Sequence, residues 1–328
     1  MKWGILATGT IAAKFAKTVA QMCSDDEKIA AVGSRDVKKA QEFADTHGIK
    51  KAYGSYEGLA ADPEVEAVYI ATPNSMHFSN AMLCLKNGKH VLCEKPFTTN
   101  AGEAETLYGE ADKRGLFIME AFWIRFLPLY EQLLRIIETK EFGQLRHARC
   151  DYGFIAKGAR RERKFKSELG GGALLDRGIY NLGFLHMLMG TAPETITSEV
   201  RLNEYGTDDF SVVQLKYPGG QTAHCVQSIG LQMERQAALY FDRAAIYLPD
   251  FQMAASMTIK PAEGEPYTIE RPFEVNGFEY EIREVTRCVR RGKTHSEIFQ
   301  PKDSVAVLKL MDEIRKSWNM KFTFESQT

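Results

Sequence analysis

The chain has 328 residues, 44% of them hydrophobic and 26% charged, with 42 Lys and Arg against 43 Asp and Glu. That length points to two domains, each with its own core, and a net charge of -1 offers nothing to attract a nucleic acid or a membrane surface. No apolar run reaches bilayer length and no signal peptide is expected. The six cysteines (Cys23, Cys84, Cys93, Cys150, Cys225, Cys288) are scattered, which reads as reduced thiols in a cytoplasmic protein, not disulfides or a zinc site. The histidines show no metal-binding spacing, so no metal is expected.

In chain order, the first 120 residues alternate strand and helix signals. Strands are predicted at 2–7, 28–33, 65–71, 89–93 and 116–119, with a short one at 51–53. Helices are predicted at 11–22, 37–47, 75–87 and 101–114. Val68-Tyr69-Ile70-Ala71 and Val91-Leu92-Cys93 are continuous apolar runs, as buried parallel strands require. The alternation implies right-handed βαβ units in a doubly wound sheet. Gly88 and Gly115 follow two helices, where a left-handed residue is wanted.

After about residue 122 the pattern changes. Helices are predicted at 128–139 and 173–189, then strands at 195–202, 210–217, 222–229, 236–241 and 245–248, then helices at 278–290 and 302–317. Val213, Leu215 and Tyr217 alternate with Gln214 and Lys216, the mark of an antiparallel strand with one wetter face. Pro218-Gly219-Gly220 supplies a hairpin turn. The expected fold is α/β: a doubly wound parallel sheet over 1–122, then an α+β domain over 123–328 with a mainly antiparallel sheet carrying helices on one face. That sheet's second face is available either to solvent or to a second subunit.

The strand ending at Cys93 runs straight into Glu94-Lys95-Pro96. A lysine there projects from the carboxyl edge of a parallel sheet, where open α/β sheets bind ligands. The following proline keeps Lys95 out of the α region. The first strand leads into Ala7-Thr8-Gly9-Thr10-Ile11-Ala12, a G-x-G-x-x-G/A dinucleotide fingerprint with Ala in place of its first glycine. The chemistry asks for close backbone approach to a pyrophosphate at a helix N-terminus; Gly9 meets it, and Thr8 and Thr10 offer hydroxyls. At the end of the second strand stand Ser34 and Arg35, where an NAD site usually carries an acid. A hydroxyl and a guanidinium suit a 2′-phosphate, so NADP is favoured over NAD; the bland alternative is a solvated Arg35 beside an Asp36 that caps the next helix. Thr72-Pro73-Asn74, with His77 a turn later, forms a polar loop fit to cover a cofactor. In the second half, Asp176 and Tyr180 are four apart behind a glycine run and share a helical face, where they read either as a proton-moving pair or as a cap and a core tyrosine.

Together, the Gly-x-Gly start, Ser34-Arg35, Ala71-Thr72-Pro73-Asn74 with His77, Glu94-Lys95-Pro96 and Gly171-Gly172-Ala173-Leu174-Leu175-Asp176-x-Gly-x-Tyr180 resemble the glucose–fructose oxidoreductase / inositol dehydrogenase (Gfo/Idh/MocA) family over nearly the whole chain. Met119-Glu120-Ala121-Phe122-Trp123-Ile124-Arg125-Phe126-Leu127-Pro128 resembles its dimeric dihydrodiol dehydrogenase and NADP-dependent D-xylose dehydrogenase branch. The resemblance implies Lys95 and Tyr180 as catalytic residues with Asp176 as a substrate-side helper. It places Trp123, Arg125 and Phe154 near the cofactor or the substrate, implies an N-terminal Rossmann domain followed by a domain with a large open, mainly antiparallel sheet, and makes that sheet a homodimer surface.

The expected chemistry is hydride transfer between NADP and a sugar or diol CH–OH group. A phenol, with a usual pKa of about 10, is a weak base at neutral pH unless a cation favours its phenolate. Lys95 is the expected cation beside Tyr180, serving also to steady the reacting oxygen. The competing readings are reduction of another carbonyl or an anhydro-sugar, and a non-catalytic NADP-sensing regulator on the same fold.

Overall fold

The computed structural model describes residues 1–24 and 26–325. It divides into two compact units: Met1–Trp123 with Glu274–Val305, and Ile124–Phe273 with Ala306–Thr328. The segment 274–305, assigned to the second domain on sequence, therefore packs within the first unit.

The first unit holds β1 (Lys2–Leu6), α1 (Thr10–Gln21), β2 (Lys28–Gly33), α2 (Val37–His47), β3 (Lys51–Tyr53), α3 (Tyr56–Ala60), β4 (Ala67–Ile70), α4 (His77–Lys86), β5 (His90–Glu94), α5 (Ala101–Arg114) and β6 (Ile118–Ala121). The strands form one parallel sheet in the order β3-β2-β1-β4-β5-β6. All four residues of β4 are buried, the condition under which an uninterrupted apolar strand is stable; β6 is buried too, Glu120 included. Phe15 on α1 stacks on Tyr69 of β4 with ring centroids 4.0 Å apart. Helix ends follow local chemistry: Asp36, Ser55 and Asn100 cap α2, α3 and α5, and Gly115 closes α5 at φ 65°.

The second unit holds α6 (Pro128–Glu138), β7 (Leu145–Gly153), α7 (Ala159–Phe165) and, after a π-helical turn at Leu174–Gly178, α8 (Ile179–Met189). Seven strands follow: β8 (Thr195–Leu202), β9 (Asp208–Lys216), β10 (Thr222–Ser228), β11 (Gln236–Phe241), β12 (Ala244–Pro249), β13 (Ser256–Pro261) and β14 (Tyr267–Glu270). The sheet order is β14-β13-β12-β11-β7-β10-β9-β8, antiparallel except for the β7–β10 pair. α8 packs on β7 and β10. The remaining helices are α9 (Phe278–Arg290), in the first unit, and α10 (Pro301–Ser317).

The central strand β7 is absent from the sequence-based strands. After Leu145 its apolar positions are small or aromatic (Ala148, Cys150, Tyr152) and alternate with His147, Arg149 and Asp151, so no hydrophobic run announces it. β13 and β14 were missed because each is short and sets its aliphatic residues (Met257 and Ile259; Ile269) singly among polar ones, and α7 because its sequence is almost wholly charged. The helix expected over 173–189 forms, but its first turn is π-helical.

Candidate active site

In the first unit β1 lies between β2 and β4, so the strand order reverses there, the place where open α/β sheets form a ligand crevice. The carboxyl ends of β1, β4 and β5, neighbours in the sheet, carry Thr8 to Ile11, Thr72 to Asn74 and Glu94-Lys95. Gly9 is the N-cap of α1; no side chain caps that helix and no acid sits in its first turn. Its first N–H groups and helix dipole therefore favour an anion. A Cβ placed on Gly9 meets nothing within 4 Å, so the packing of this chain alone does not require glycine there. Ala7 adopts φ 93°, the conformation for which the fingerprint's first glycine is ordinarily chosen.

The residues around this edge hold one another. His77 is buried, with Nδ1 2.8 Å from the Pro96 carbonyl and Nε2 3.0 Å from the Thr72 carbonyl. It ties the loop after β4 to the loop after β5, a positioning role. Asn80 donates to the Thr72 hydroxyl at 3.0 Å. Glu94 is buried, accepting from the Tyr69 hydroxyl at 2.5 Å and from the Lys95 backbone N–H at 3.2 Å. Lys95 is half-buried and its bond to Pro96 is cis. Behind it, Glu120 accepts from the Phe97 backbone N–H at 3.0 Å and from the Ser304 hydroxyl. Burial pushes the Glu120 carboxyl up to about 7, against the lowering effect of those hydrogen bonds and of the Lys95 charge. Trp123 is buried, with the Lys14 ammonium 4.4 Å from its ring centroid. Ser34 is buried and Arg35 exposed at the end of β2, while Asp36 caps α2 as the bland reading had it. Arg125 is half-buried in the turn Trp123–Phe126.

In the second unit Tyr180 and Asp176 are both buried, at the start of α8 and on the π turn before it. The glycine run makes this possible. A Cβ on Gly171 would lie 2.6 Å from the Lys164 carbonyl oxygen, and Gly172 has φ 122°. Asp208, from β9, accepts from the Leu174 N–H at 2.7 Å and anchors the turn. Asp176 is bound by two cations: Lys164 donates to Oδ1 at 2.5 Å, and Arg177 Nε lies 3.3 Å from Oδ2. The Arg177 guanidinium also donates to the Tyr152 hydroxyl at 2.8 Å, and its carbon lies 4.4 Å and 4.3 Å from the Tyr152 and Phe154 ring centroids. Tyr152 in turn donates to Gln252 at 2.9 Å, and its ring is 5.9 Å from that of Tyr180. Lys164, Arg177, Tyr152 and Asp208 were not singled out on sequence. Only Arg177 offered a signal, as a charge inside an apolar helix start.

The sequence matches a family model described as "Oxidoreductase family, NAD-binding Rossmann fold" over residues 1–122 and one for the GFO/IDH/MocA C-terminal domain over residues 130–247. The chain belongs to the Gfo/Idh/MocA oxidoreductase family. Members similar to it over nearly full length include the trans-1,2-dihydrobenzene-1,2-diol dehydrogenases of Xenopus laevis (34% identical over 319 residues, 95% of this chain and 96% of that one) and Homo sapiens (35% over 333 residues, 98% of each). Among solved structures, a 3-ketoreductase from Actinomadura kijaniata, in complex with NADP and TDP-benzene, superposes with a TM-score of 0.88 at 23% identity, covering 96% of this chain and 97% of that one. An aldose–aldose oxidoreductase from Caulobacter crescentus gives 0.87 at 22%, covering 97% of each. These two likenesses establish the fold. Among the described residues no group of His, Cys, Asp or Glu could hold a metal ion, and no helix is long and apolar enough to cross a membrane.

Proposed function

We propose that this Gfo/Idh/MocA oxidoreductase transfers hydride between NADP and the CH–OH carbon of a sugar or diol, with Lys95 and Tyr180 managing the proton. The observation that carries the reading is the placement of Lys95 at the carboxyl end of β5, on the same sheet edge as the open Gly9 turn after β1 and separated from it by β4 alone. The relatives named as diol dehydrogenases and the sugar oxidoreductases of like fold support the substrate class.

Thr8 to Ile11 would hold the pyrophosphate through backbone N–H groups. Ser34 and Arg35 would receive the 2′-phosphate, and Thr72 to Asn74 would line the remainder. The bound nicotinamide supplies the two-electron acceptor or donor for the hydride. In the oxidising direction the substrate hydroxyl gives its proton to Tyr180 as the C–H hydride leaves, producing a carbonyl; reduction reverses both transfers. Lys95 steadies the negative charge that develops on the reacting oxygen. Phe154 and Asp176 shape the substrate side, Asp176 through the cations it holds. The division 1–122 for cofactor and 123–328 for substrate belongs to the same proposal. So does a homodimer through the face of the eight-stranded sheet that carries His147, Arg149 and Asp151, which sedimentation equilibrium would test.

Lys95→Met and Tyr180→Phe are each expected to lose about 10²–10⁴-fold in turnover, with NADPH fluorescence titration unchanged. Near-normal rates on a panel of aldoses and diols in either variant sink the assignment. Arg35→Asp is expected to weaken NADP far more than NAD; equal loss of both would remove the 2′-phosphate role.

A further inference from the structure

The second unit contains a cation that the proton-transfer scheme has not used. Arg177 lies on the π turn directly before α8, three residues ahead of Tyr180. Its guanidinium is fixed on several sides: Asp176 Oδ2 at 3.3 Å, the Tyr152 hydroxyl at 2.8 Å, and the faces of Tyr152 and Phe154. The side chain is only 17% exposed. A charge so enclosed is screened little by solvent and acts strongly on its neighbours.

The charge persists. Burial works against the guanidinium, but Asp176, then the phenols of Tyr152 and Tyr180, outweigh that cost and hold its pKa above the ordinary arginine value. Lys164 and Arg177 both engage the Asp176 carboxylate. Burial raises the Tyr152 phenol, against the lowering influence of Arg177 and of Arg235, which is itself paired with Asp250 at 2.8 Å. Cys150, the thiol on β7 near α8, is pushed well up by burial and stays neutral. Asp176 spends its oxygens on the two cations, which makes it the anchor of Arg177.

We propose that Arg177 is a positioning residue for Tyr180: its clamped positive charge stabilises the phenolate and so holds this phenol ready to exchange a proton. The aromatic sandwich and Asp176 fix where that charge lies. Tyr152, whose hydroxyl is already committed to Arg177 and Gln252, does not compete for the substrate proton. The inference rests on Tyr180 as the proton-transfer group, and it deepens that reading.

Tyrosine ionisation in the cofactor-free protein tests it without turnover. With ring-labelled tyrosine followed by NMR, and the Tyr180 signal assigned by its loss in Tyr180→Phe, wild-type Tyr180 is expected to ionise below the ordinary tyrosine value of about 10. Arg177→Met is expected to raise that midpoint by about one pH unit, and Arg177→Lys to leave it near wild type. The alkaline-side pH dependence of kcat is expected to move with it, while KM for NADP stays put. A wild-type Tyr180 that ionises at or above 10, or an Arg177→Met midpoint that does not move, overturns the proposal; the wild-type titration decides even if Arg177→Met does not fold. Should Tyr180 titrate as expected while Tyr180→Phe keeps full turnover, the proton-transfer assignment fails and the electrostatic coupling stands.

Discussion

The two units build their candidate sites by different means. In the first, the residues sit at the ends of neighbouring parallel strands, and the backbone does most of the positioning: the Gly9 turn, the Lys95-Pro96 step and the loop pinned by His77. In the second, the site is a web of charged side chains drawn from α7, β7 and the π turn before α8, anchored by Asp208 from β9. A site made by strand ends tolerates change wherever the backbone path survives. A site made by interlocked charges fails when one member moves.

The same substitution in the two regions puts that contrast to work. Gly171→Ala forces a methyl against the Lys164 and Lys166 carbonyl oxygens, at 2.6 Å and 2.8 Å. Backbone cannot swing away like a side-chain tip, so a loss of about 3 kcal/mol in urea unfolding is expected. Gly9→Ala meets open space at an ordinary φ of -81°, and its stability cost is expected to stay under about 1 kcal/mol, that of a poorer helix cap. Its damage should instead fall on cofactor affinity, by about tenfold, or about 1.4 kcal/mol. Equal stability losses at the two positions would erase the distinction.

The second expectation is a pH effect with a main source in the charged region. Asp208 is fully buried, and burial raises its carboxyl from 3.8 to about 7, against the lowering effect of its hydrogen bonds from the Leu174 backbone and Ser211. Between about pH 4 and 7 the unfolded chain therefore releases this proton while the folded chain keeps it. That favours unfolding, so the stabilisation is complete below pH 4 and is lost as pH rises through 7. The rise from 3.8 to about 7 makes the loss on the order of 4 kcal/mol. Asp208→Asn stays neutral, retains an oxygen for the Leu174 N–H, and should flatten the fall between pH 4.5 and 7.5. Glu120 in the first unit titrates in the same window, so part of the slope should survive in that variant. Complete persistence of the slope would show that Asp208 is not its source.

What the sequence made legible follows the same divide. The parallel sheet was readable because each strand is a short apolar run and each helix begins or ends on a local signal, such as Asp36 or Gly115. Lys95, Gly9 and Thr72 were readable because their chemistry depends on lying just past a strand. Lys164 and Tyr152 were not, because their meaning comes from partners 12 and 25 residues away in sequence, and Arg177 showed only as a charge in an apolar helix start. The missed strand β7 is what delivers Tyr152, so one failure produced the other: small core residues alternating with charges hide a strand, and a hidden strand hides the side chain it presents. The π turn was equally silent, since its residues read as ordinary helix.

The smallest expected effect probes the one place where the backbone-built region departs from its own rule. Ala7 holds φ 93°, a conformation costing a non-glycine residue about 1–3 kcal/mol. Ala7→Gly removes that strain, yet loosens the unfolded chain by about 0.4–1 kcal/mol. The strain is the larger of the two, so a net gain of about 1 kcal/mol is expected, seen as a higher urea midpoint at unchanged slope. NADPH affinity should hold or improve, because the turn already follows the path that glycine would choose. A loss of stability would mean that the alanine methyl makes a packing contact worth more than the strain, and that even a turn set by backbone geometry leans on its side chains.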